Sequence, residues 1–565
     1  MAYNLRSRPF REILVDTEDE VSQEGELSDV KSDNVSEESN ENSDAISSES
    51  EYEDAEPEES ESRARGRPSK VRGKNGFEWN SKAPSRRSDR VNAPIFEYGP
   101  SGAATNCTSM AEYWQVLFTN EMINMIVEHT NDKIEDVCSK MISQNQNIQT
   151  YHHITDEVEI KAFIGLLYYS GAWKSSNVNL KYLWDSSKSQ TMYRCVMPYR
   201  RFEFLLACIR FDKKESRDAN DHFAPIRNLW DKFMANCESN YTPSSKCTVD
   251  EQLLGFRGRC RFRMYIKSKP DKYGIKIVTL NDAQTCYLII GVPYLRKTSV
   301  NDESICEYFF REVTKPIHGT GRTVTCNNWF TTIPLLMRML EPEFNLTMTG
   351  TIRKNKREIP EVMKTASKNP PASNFCFTNS ITLVSHTSKK HKLVLLVSSY
   401  IHTENIVNNK PEIILHYNDT KGGTDSFDQL CHTYTVSRRT LRWSMRIFFG
   451  MLDQAAVNAR IMLNCTQLKE GQKPAKAFQC LESLFKHLLF PYLTQRYTNR
   501  SLRKPIILGI QEILKIDRLS EPEQTQRPQL DKRVTQIILD AGVTKTPYAL
   551  YEILRYVCAL RDNNN

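Results

Sequence analysis

Three aspartates lie where a strand end and a helix start could bring their carboxylates together. Asp250 follows residues that predict a strand, whereas Asp425 and Asp428 come after the turn Gly422-Gly423 and open a predicted helix. Asp425 and Asp428 are one helical turn apart and share one face. Carboxylates that converge from separate elements can clamp two Mg²⁺ ions about 4 Å apart, an arrangement that cleaves phosphodiester bonds. Acids are common, so spacing alone does not establish this site.

The elements predicted around these acids alternate between strands and helices. Alternating and β-branched stretches predict strands, and apolar residues at helical spacing predict helices. In chain order they are strands at 273–280, 286–295 and 323–326, a helix at 333–340, strands at 392–400 and 412–417, and a helix from Thr424 or Asp425. This order, with acids at strand ends and a helix start, predicts an α/β fold with an RNase H-like nuclease core.

Helices are predicted on both sides of the α/β segment. Residues 110–126 and 157–169 carry apolar residues at helical spacing, and residues 441–463 form a long helical run that is basic at its start. Residues 181–206 combine aromatic side chains with arginines, which suggests a helical domain with a basic face.

The net charge of +7 combines two regions of opposite sign. Residues 12–62 contain 21 acids and one base, a net charge of −20, so the remaining residues carry about +27. A segment this acidic and this poor in large apolar residues cannot offset its ordering entropy, and we predict that it is disordered. The basic excess elsewhere favours a nucleic-acid partner over a surface that is merely solvated.

The sign of the charge changes at residues 63–70, which read Arg-Ala-Arg-Gly-Arg-Pro-Ser-Lys. The core at 65–68 resembles an AT-hook, in which arginines enter a narrow A·T minor groove and glycine leaves the groove unobstructed. The same run, continuing through Lys74, is typical of a nuclear localisation signal. We therefore predict a nuclear protein, with Arg65 and Arg67 as DNA contacts.

Cysteine spacing and hydropathy exclude several other classes. The 15 cysteines include no CxxC pair and no CxxC…HxxH spacing, so neither a zinc site nor a secreted disulfide framework is predicted. No apolar run approaches the roughly 20 residues that span a bilayer, and no membrane association is predicted.

Six sequence blocks, in this order, closely resemble the piggyBac transposase family over roughly residues 105–500. They are Asp-Glu-Gln-Leu-Leu-Gly-Phe-Arg-Gly-Arg at 250–259, Lys-Pro-Asp-Lys-Tyr-Gly-Ile-Lys at 269–276, Asn-Trp-Phe-Thr at 328–331, Gly-Thr-Ile-Arg-Lys-Asn-Lys-Arg-Glu-Ile-Pro at 350–360, Thr-Lys-Gly-Gly-Thr-Asp-Ser-Phe-Asp-Gln at 420–429 and Ser-Arg-Arg-Thr-Leu-Arg-Trp at 437–443.

The resemblance implies an RNase H-like catalytic core that is interrupted by an insertion domain and flanked by a mostly helical domain that dimerises and holds DNA. It also implies cut-and-paste movement at TTAA targets with Mg²⁺. The boundaries that we predict are 1–104 for a disordered acidic and then basic N-terminal region, 105–244 and 435–512 for the helical dimerisation and DNA-binding domain, 245–353 and 412–434 for the core, 354–411 for the insertion domain, and 513–565 for a C-terminal helical tail.

The chain departs from the family at the middle catalytic acid, which falls on Asn327. A carboxamide offers one neutral oxygen where a carboxylate would face two dications. We expect metal binding by the three aspartates to be weak or lost and strand transfer to be slowed at least about a thousandfold. Mg²⁺ is a cofactor only if the protein is active. Asp282 or Asp302 could compensate only by reaching the site.

A second departure lies after residue 465, where only Cys480 and Cys558 remain. The family's cysteine-rich zinc domain, which reads transposon ends, therefore has no expected counterpart. Loss of both the middle acid and this domain is typical of a host protein derived from a transposase.

Several basic clusters are candidate DNA contacts. By the resemblance, Arg353 and Lys356 match positions where the family contacts DNA. The arginines at 257–263 alternate on a predicted strand, and those at 438–446 precede or open a helix and could grip phosphates. Trp443 is more typical of packing, although it could stack on a base. The predicted DNA-binding residues are Arg65, Arg67, Arg257, Arg259, Arg353, Lys356, Arg438, Arg439, Arg442 and Trp443.

The sequence thus favours a nuclear, homodimeric, DNA-binding protein derived from a piggyBac-type transposase, with Asp250, Asp425 and Asp428 retained and Asn327 substituted. Two alternatives remain open. One is an active transposase or nuclease at TTAA sites. The other is a chromatin scaffold whose acidic segment binds basic partners such as histones.

Overall fold

The computed structural model describes residues 70–83, 96–267, 269–295, 303–499 and 501–516. The chain divides into two compact units, Met1–Ile510 and Gln511–Asn565, and the second is described only through residue 516. Outside the described residues lie the predicted disordered segment 12–62, the arginines Arg65 and Arg67, and most of the predicted tail at 513–565.

Side-chain caps begin the helices of the first helical segment. Ser109 and Glu112 form a capping box, and the Asp156 carboxylate accepts the backbone N–H of Glu159. The elements are β1 (Lys70–Arg72), β2 (Glu78–Asn80), β3 (Gly99–Pro100), α1 (Met110–Leu117), α2 (Asn120–Ser143), α3 (Glu157–Ala172), α4 (Leu180–Leu183), α5 (Thr191–Val196), α6 (Tyr199–Cys208) and α7 (Arg227–Ser239).

The β1–β2 hairpin corrects the prediction that residues 1–104 lack structure. Trp79 in β2 is fully buried, and its indole Nε1 donates to the carbonyl of Glu358 at 2.8 Å. A Cβ at Gly73 would lie 2.6 Å from the Arg357 carbonyl oxygen, so only glycine permits this close approach. One buried aromatic side chain therefore anchors a segment whose composition alone predicts a loop.

Three neighbouring strands of the central sheet run parallel to one another. Strand β5 pairs parallel with β9 and antiparallel with β7, β9 pairs parallel with β10, and β8 lies on β7, which is the RNase H-like order. These elements are β4 (Tyr241–Thr242), β5 (Lys246–Gly255), β6 (Arg263–Tyr265), β7 (Tyr273–Asp282), β8 (Leu288–Pro293), α8 (Ile305–Thr314), β9 (Thr323–Cys326), α9 (Ile333–Met339) and β10 (Thr347–Thr351). The predicted α/β core is confirmed.

The segment that we assigned to an insertion domain continues the same sheet. Strand β13 pairs antiparallel with β10, and β12, β11 and β2 follow outward in that order. Its elements are α10 (Glu361–Lys364), β11 (Ala372–Phe377), β12 (Thr382–Lys389), β13 (Lys392–Ser398), β14 (Ile406–Val407) and β15 (Lys410–Pro411).

The strand predicted at 412–417 is a helix instead. Ile413, Ile414 and Tyr417 follow helical spacing and pack against an apolar cluster that includes Phe377 and Leu396. A short apolar run cannot distinguish a strand from a helix, which explains the error. The remaining elements are α11 (Glu412–Thr420), α12 (Gly423–Thr433), α13 (Trp443–Lys469), α14 (Ala477–Tyr497) and α15 (Lys504–Leu514).

The two helical segments pack against each other around the core. The side chains of Leu488 and Leu489 on α14 pack against Gly165 of α3, where an added Cβ would lie 2.8 Å from Leu489. Tyr168 on α3 accepts from the Trp114 indole and donates to the Leu452 carbonyl on α13. In the described part of the chain, no helix is both long enough and apolar enough to cross a membrane.

Candidate active site

Two neighbouring strands carry the first two positions of the predicted site. The register of the parallel pair matches Val249 of β5 with Cys326 of β9, so Asp250 and Asn327 lie side by side. The strand predicted to end just before Asn327 is confirmed by β9 (Thr323–Cys326). The sheet therefore brings together two side chains that are 77 residues apart in sequence.

The carboxamide of Asn327 is held in one orientation. Its Oδ1 accepts the backbone N–H of Trp329 at 2.9 Å. Its Nδ2 therefore faces the carboxylates and donates to Asp250 Oδ1 at 2.7 Å and to Glu251 Oε2 at 3.2 Å. Asn327 therefore presents N–H donors to Asp250 and Glu251, whereas an aspartate at this position would repel both carboxylates.

Asp250 and Glu251 are neighbours, yet the protein shifts their pKa values in opposite directions. Burial, and then the neighbouring Glu251 carboxylate, raise the pKa of Asp250 well above its usual range. Burial alone would raise the pKa of Glu251 too, but the ammonium of Lys276 and the hydrogen bonds of Asp250 and Asn327 hold it below its usual value. The pair therefore favours one negative charge.

Lys276 supplies the counter-charge from strand β7. Its Nζ is 4.0 Å from Glu251 Oε2 and 3.6 Å from the centre of the Trp329 ring, and the side chain is almost fully buried. The carboxylate pairs this buried ammonium, and the aromatic face stabilises it further. Trp329 is accordingly a packing and cation-binding residue.

Helix α12 carries the other two acids and begins against β5. A Cβ at Gly423 would lie 2.6 Å from Thr248 Oγ1, so glycine lets the helix start approach the strand. Asp425 is exposed, and its Oδ1 accepts from Lys269 Nζ at 3.0 Å. Although burial lowers the pKa of Lys269, Asp425 and Asp250 raise it overall. Lys269 therefore links the helix to the strand.

Asp428 is tied to the protein interior by two glutamines. Its Oδ1 accepts from Gln252 Nε2 at 2.9 Å, and Gln252 Oε1 accepts from Gln454 Nε2 at 2.7 Å. His432, one turn along α12, lies 3.7 Å from the same carboxylate. The structure thus brings together the predicted positions 250, 327, 425 and 428. A series of hydrogen bonds through the two glutamines connects Asp428 to helix α13.

This donor set does not fit a pair of divalent cations. The Asn327 N–H occupies Asp250 Oδ1, its own oxygen is taken by a backbone N–H, and Lys269 occupies Asp425. Magnesium requires charged oxygen ligands that are free to turn toward it. No reaction step through a metal ion therefore follows from this arrangement.

Asp282, one of the acids considered as a replacement ligand, lies elsewhere. Its carboxylate accepts from the backbone N–H groups of Ser244, Gln284 and Thr285 at the far end of β7. This aspartate stabilises a turn and does not reach Asn327. Asp302 lies outside the described residues.

Some predicted DNA-binding residues are exposed beside this site. Arg353 donates to Asn328 Oδ1 at 3.4 Å and is exposed, as are Arg257 and Arg259, whereas Lys356 is half-buried. The prediction that the arginines at 257–263 alternate on one strand is wrong. Strand β5 ends at Gly255 and β6 begins at Arg263, so Arg257, Arg259 and Arg261 lie in a loop and Arg263 alone starts a strand.

Two predicted phosphate contacts are structural arginines. Arg438 is buried and donates to the Val178 carbonyl, and Arg442 donates to the carbonyls of Ala207 and Ile209. Burial, and then nearby Arg210, lower the pKa of Arg442 to about 10. The prediction that these two guanidiniums grip DNA is corrected, because backbone carbonyls already hold them.

Arg439 and Trp443 differ from these two arginines. Arg439 is exposed. Trp443 is half-buried, with its ring 5.7 Å from Phe223 and 5.0 Å from Phe262. These contacts give the indole a packing role and leave Arg439 as the outward-facing member of the cluster.

Asp453 on α13 fixes the segment that precedes this helix. Its carboxylate accepts from Thr435 Oγ1 at 2.7 Å and from the Val436 N–H at 2.8 Å. Burial raises its pKa from 3.8 to about 7, although both hydrogen bonds and Arg446 act in the opposite direction. This residue was not predicted, because an isolated aspartate within a helix carries no motif.

Replacing Asp453 with asparagine should change how stability depends on pH. The folded state keeps a proton that the unfolded state releases above pH 3.8, so this group's favourable contribution is full below that pH and falls as pH rises through about 7. Between about pH 4 and pH 8 the unfolding free energy of Asp453→Asn should rise relative to the native protein by up to about 4 kcal/mol. Urea unfolding at both values measures this difference. The exposed Asp218→Asn variant should follow the native protein, and parallel curves for Asp453→Asn would contradict the assignment.

The sheet order and the gathered acids define a protein of the RNase H-like transposase class. A family model described as Transposase IS4 matches residues 109–460, and the chain belongs to that family, among its piggyBac-type members. One chain in a cryo-EM structure of a piggyBac transposase synaptic complex with hairpin DNA is 38% identical, with a TM-score of 0.70. The match covers 78% of this chain and 92% of that chain.

Two curated human relatives are 24% identical over matches 379 residues long, and each match covers 63% of this chain. They are the piggyBac transposable element-derived protein 3 and the chimeric ERCC6-PGBD3 protein of Homo sapiens. The match spans 60% of the first relative and 34% of the second. The present chain is a piggyBac-transposase-derived protein.

Proposed function

We propose that this protein binds DNA in the nucleus as a homodimer and has lost efficient strand transfer. The observation that carries the proposal is the orientation of Asn327, whose N–H groups point at Asp250 and Glu251. A site that already satisfies these carboxylates internally gains little from a bridging cation. Electrostatic stabilisation of the transition state, which usually contributes most to the catalysis of such reactions, is then missing.

DNA binding is supported by the solved relative and by the charge of the chain. The relative was determined as a synaptic complex with hairpin DNA, and its matched sequence is 38% identical to this chain. Exposed Arg353 lies beside the site, and Arg257, Arg259 and Arg439 are also exposed. Phosphate contacts from such side chains supply affinity without sequence selectivity.

Active transposition at TTAA sites is the second candidate, because Asp250 and Asp425 still lie together around Lys269. Cleavage of DNA by the native protein would favour this candidate.

A chromatin scaffold is the third candidate function, and it rests on the acidic residues 12–62. Deleting them should abolish scaffold interactions but strengthen DNA binding, because the deletion removes a net charge of −20.

Removing two basic side chains near the site should weaken the salt dependence of DNA binding. Each lost phosphate contact lowers the slope of log affinity against log salt by about 1, so Arg353→Ala combined with Lys356→Ala should lower it by about 2. Filter binding with one duplex at several salt concentrations measures the slope.

The matched control is Lys389→Ala combined with Lys390→Ala, which removes two exposed positive charges from the β12–β13 hairpin, outside the predicted DNA-binding domain. The control should leave the slope unchanged. Native affinity that is independent of salt concentration would contradict DNA binding through phosphates.

A further inference from the structure

The loop at residues 353–358 carries two of the predicted DNA contacts, Arg353 and Lys356. It begins after Ile352, whose backbone N–H donates to the Leu395 carbonyl at 3.0 Å, and it ends before the fully buried Ile359. The exposed side chains of the loop are those of Arg353, Lys354, Asn355 and Arg357. A polar surface loop of this kind loses conformational entropy when it binds a partner, unless other contacts already fix it.

The β1–β2 hairpin supplies such contacts to the second half of the loop. The Trp79 indole donates to the Glu358 carbonyl at 2.8 Å, and the Asn75 Nδ2 donates to Glu358 Oε1 at 3.3 Å. The Asn75 backbone N–H donates to the Arg357 carbonyl at 3.4 Å. A methyl group added at Gly73 would lie 2.6 Å from that same carbonyl oxygen. Three residues of the hairpin therefore hold two consecutive residues of the loop.

The first half of the loop contacts the candidate active site. Arg353 Nε donates at 3.4 Å to Oδ1 of Asn328, which follows Asn327 in the chain. The Lys356 backbone N–H donates to the Arg353 carbonyl at 3.3 Å and joins the two halves of the loop. The loop thus connects the hairpin to the segment that carries the substituted acid.

Charge does not explain why the hairpin packs against this loop, because both are basic. Within the hairpin, Glu78 accepts from two of the basic side chains at 3.0 Å. Lys74 lies 3.2 Å from Glu361, but both side chains are exposed, so this pair contributes little. Trp79 is fully buried, and burial of its ring together with its hydrogen bond provides the main stabilisation of the contact.

We propose that the β1–β2 hairpin fixes the loop at 353–358 so that Arg353 and Lys356 are presented to DNA. Trp79 and Gly73 are then positioning residues, which act on DNA binding through the loop. A loop that is ordered beforehand loses less entropy on binding and binds more tightly. The inference rests on the proposed DNA binding. It adds that residues 70–80, which precede the family match at 109–460, contribute to that binding.

The test compares full-length native protein with Trp79→Ala and Gly73→Ala by filter binding of one duplex at several salt concentrations. Neither substitution changes the charge of the protein. We expect each variant to bind at least about tenfold more weakly and to lower the slope of log affinity against log salt by about 2. Added to Arg353→Ala with Lys356→Ala, Trp79→Ala should lower the slope no further, because the contacts that it positions are already gone. Gly319→Ala, which adds a methyl group where no atom of the described residues lies within 4 Å, should keep the native slope.

Trypsin reports the order of the loop without DNA. The loop contains four lysine and arginine residues, and cleavage after them is identified from the masses of the fragments. We expect Trp79→Ala and Gly73→Ala to be cut in this loop at least about tenfold faster than the native protein, because detachment of the hairpin exposes the loop backbone. Cleavage elsewhere should keep its native rate.

Four results would overturn the inference. A native salt slope in both variants would do so and would leave the proposed DNA binding intact. A slope that Trp79→Ala lowers equally when Arg353 and Lys356 are already alanine would show that the hairpin acts by another route. Native cleavage rates in the loop would show that the hairpin does not order it, and faster cleavage throughout the chain would make Trp79 and Gly73 general determinants of stability. Absence of any duplex binding by the native protein would instead overturn the proposed function, while the trypsin comparison would still report on the hairpin.

Discussion

Replacing Asn327 with aspartate is expected to make the stability of the protein depend on a divalent cation. The new carboxylate would face Asp250 and Glu251, which now receive the Asn327 N–H groups at 2.7 and 3.2 Å. Loss of these donors and the added repulsion should lower the unfolding free energy by about 1–3 kcal/mol in EDTA. Saturating Mg²⁺ or Mn²⁺ should restore about 2.7 kcal/mol at a hundredfold excess over its Kd. The native protein should not respond to the metal.

The matched control is Asn328→Asp, which adds the same charge one residue away. Asn328 is half-buried and contacts Arg353 through its Oδ1, so the added carboxylate meets a guanidinium. Urea unfolding with EDTA or with metal should be nearly the same for this variant and the native protein. A native protein that is stabilised by Mg²⁺ as strongly as Asn327→Asp would show that the amide does not block the metal site.

Replacing Arg201 with methionine is expected to be strongly destabilising. All five N–H groups of Arg201 are used: two hydrogen bonds reach the Glu159 carboxylate at 2.9 and 2.6 Å, and the others reach the carbonyls of residues 151, 153 and 154. Both side chains are 2–3% exposed. Removing one partner of a buried pair leaves an uncompensated charge and costs about 3–5 kcal/mol. The urea midpoint measures this loss.

Glu159, the acidic partner of Arg201, makes the free energy of unfolding depend on pH. Burial would raise the pKa of Glu159, but Arg201 lowers it overall, so the pair's stabilisation is present above pH 4.5 and is lost as pH falls below it. The neighbouring Arg200→Met is the control, because Arg200 is exposed and its ion pair with Glu203 lies at the surface, where such a pair is worth about 0–1 kcal/mol. A loss below about 1 kcal/mol for Arg201→Met would contradict the role of the pair.

The fold could be predicted from sequence where the local pattern was strong. The strand at 323–326 and the helix from Ile333 match the structure, because alternation and capping act over a few residues. The helix Glu412–Thr420 was missed because its apolar run is short, and the hairpin at 70–80 because its anchor, the contact of Trp79 with Glu358, spans 279 residues. Contacts at such separations leave no local signature.

The candidate site likewise contains residues that local motifs identify and partners that only the folded structure reveals. Motif blocks located Asp250, Asn327, Asp425 and Asp428, whose side chains the sheet and helix α12 then gather. The counter-charge of the neighbouring Glu251, which Lys276 supplies from its place on the Trp329 ring, depends on tertiary contacts. The arginines at 438–442 show why a basic cluster is ambiguous. Sequence gives their charge but not their direction, and Arg438 points inward while Arg439 points outward.

The most direct test of the central claim is cleavage of DNA with TTAA-flanked ends. Native protein and Asn327→Asp are incubated with Mg²⁺ or Mn²⁺, and nicking and hairpin formation are followed on denaturing gels. We predict that the native protein binds this DNA and does not cut it, while the variant cuts it at least about a thousandfold faster. Nicking by the native protein at a rate near that of the variant would contradict the claim that Asn327 switches the site off.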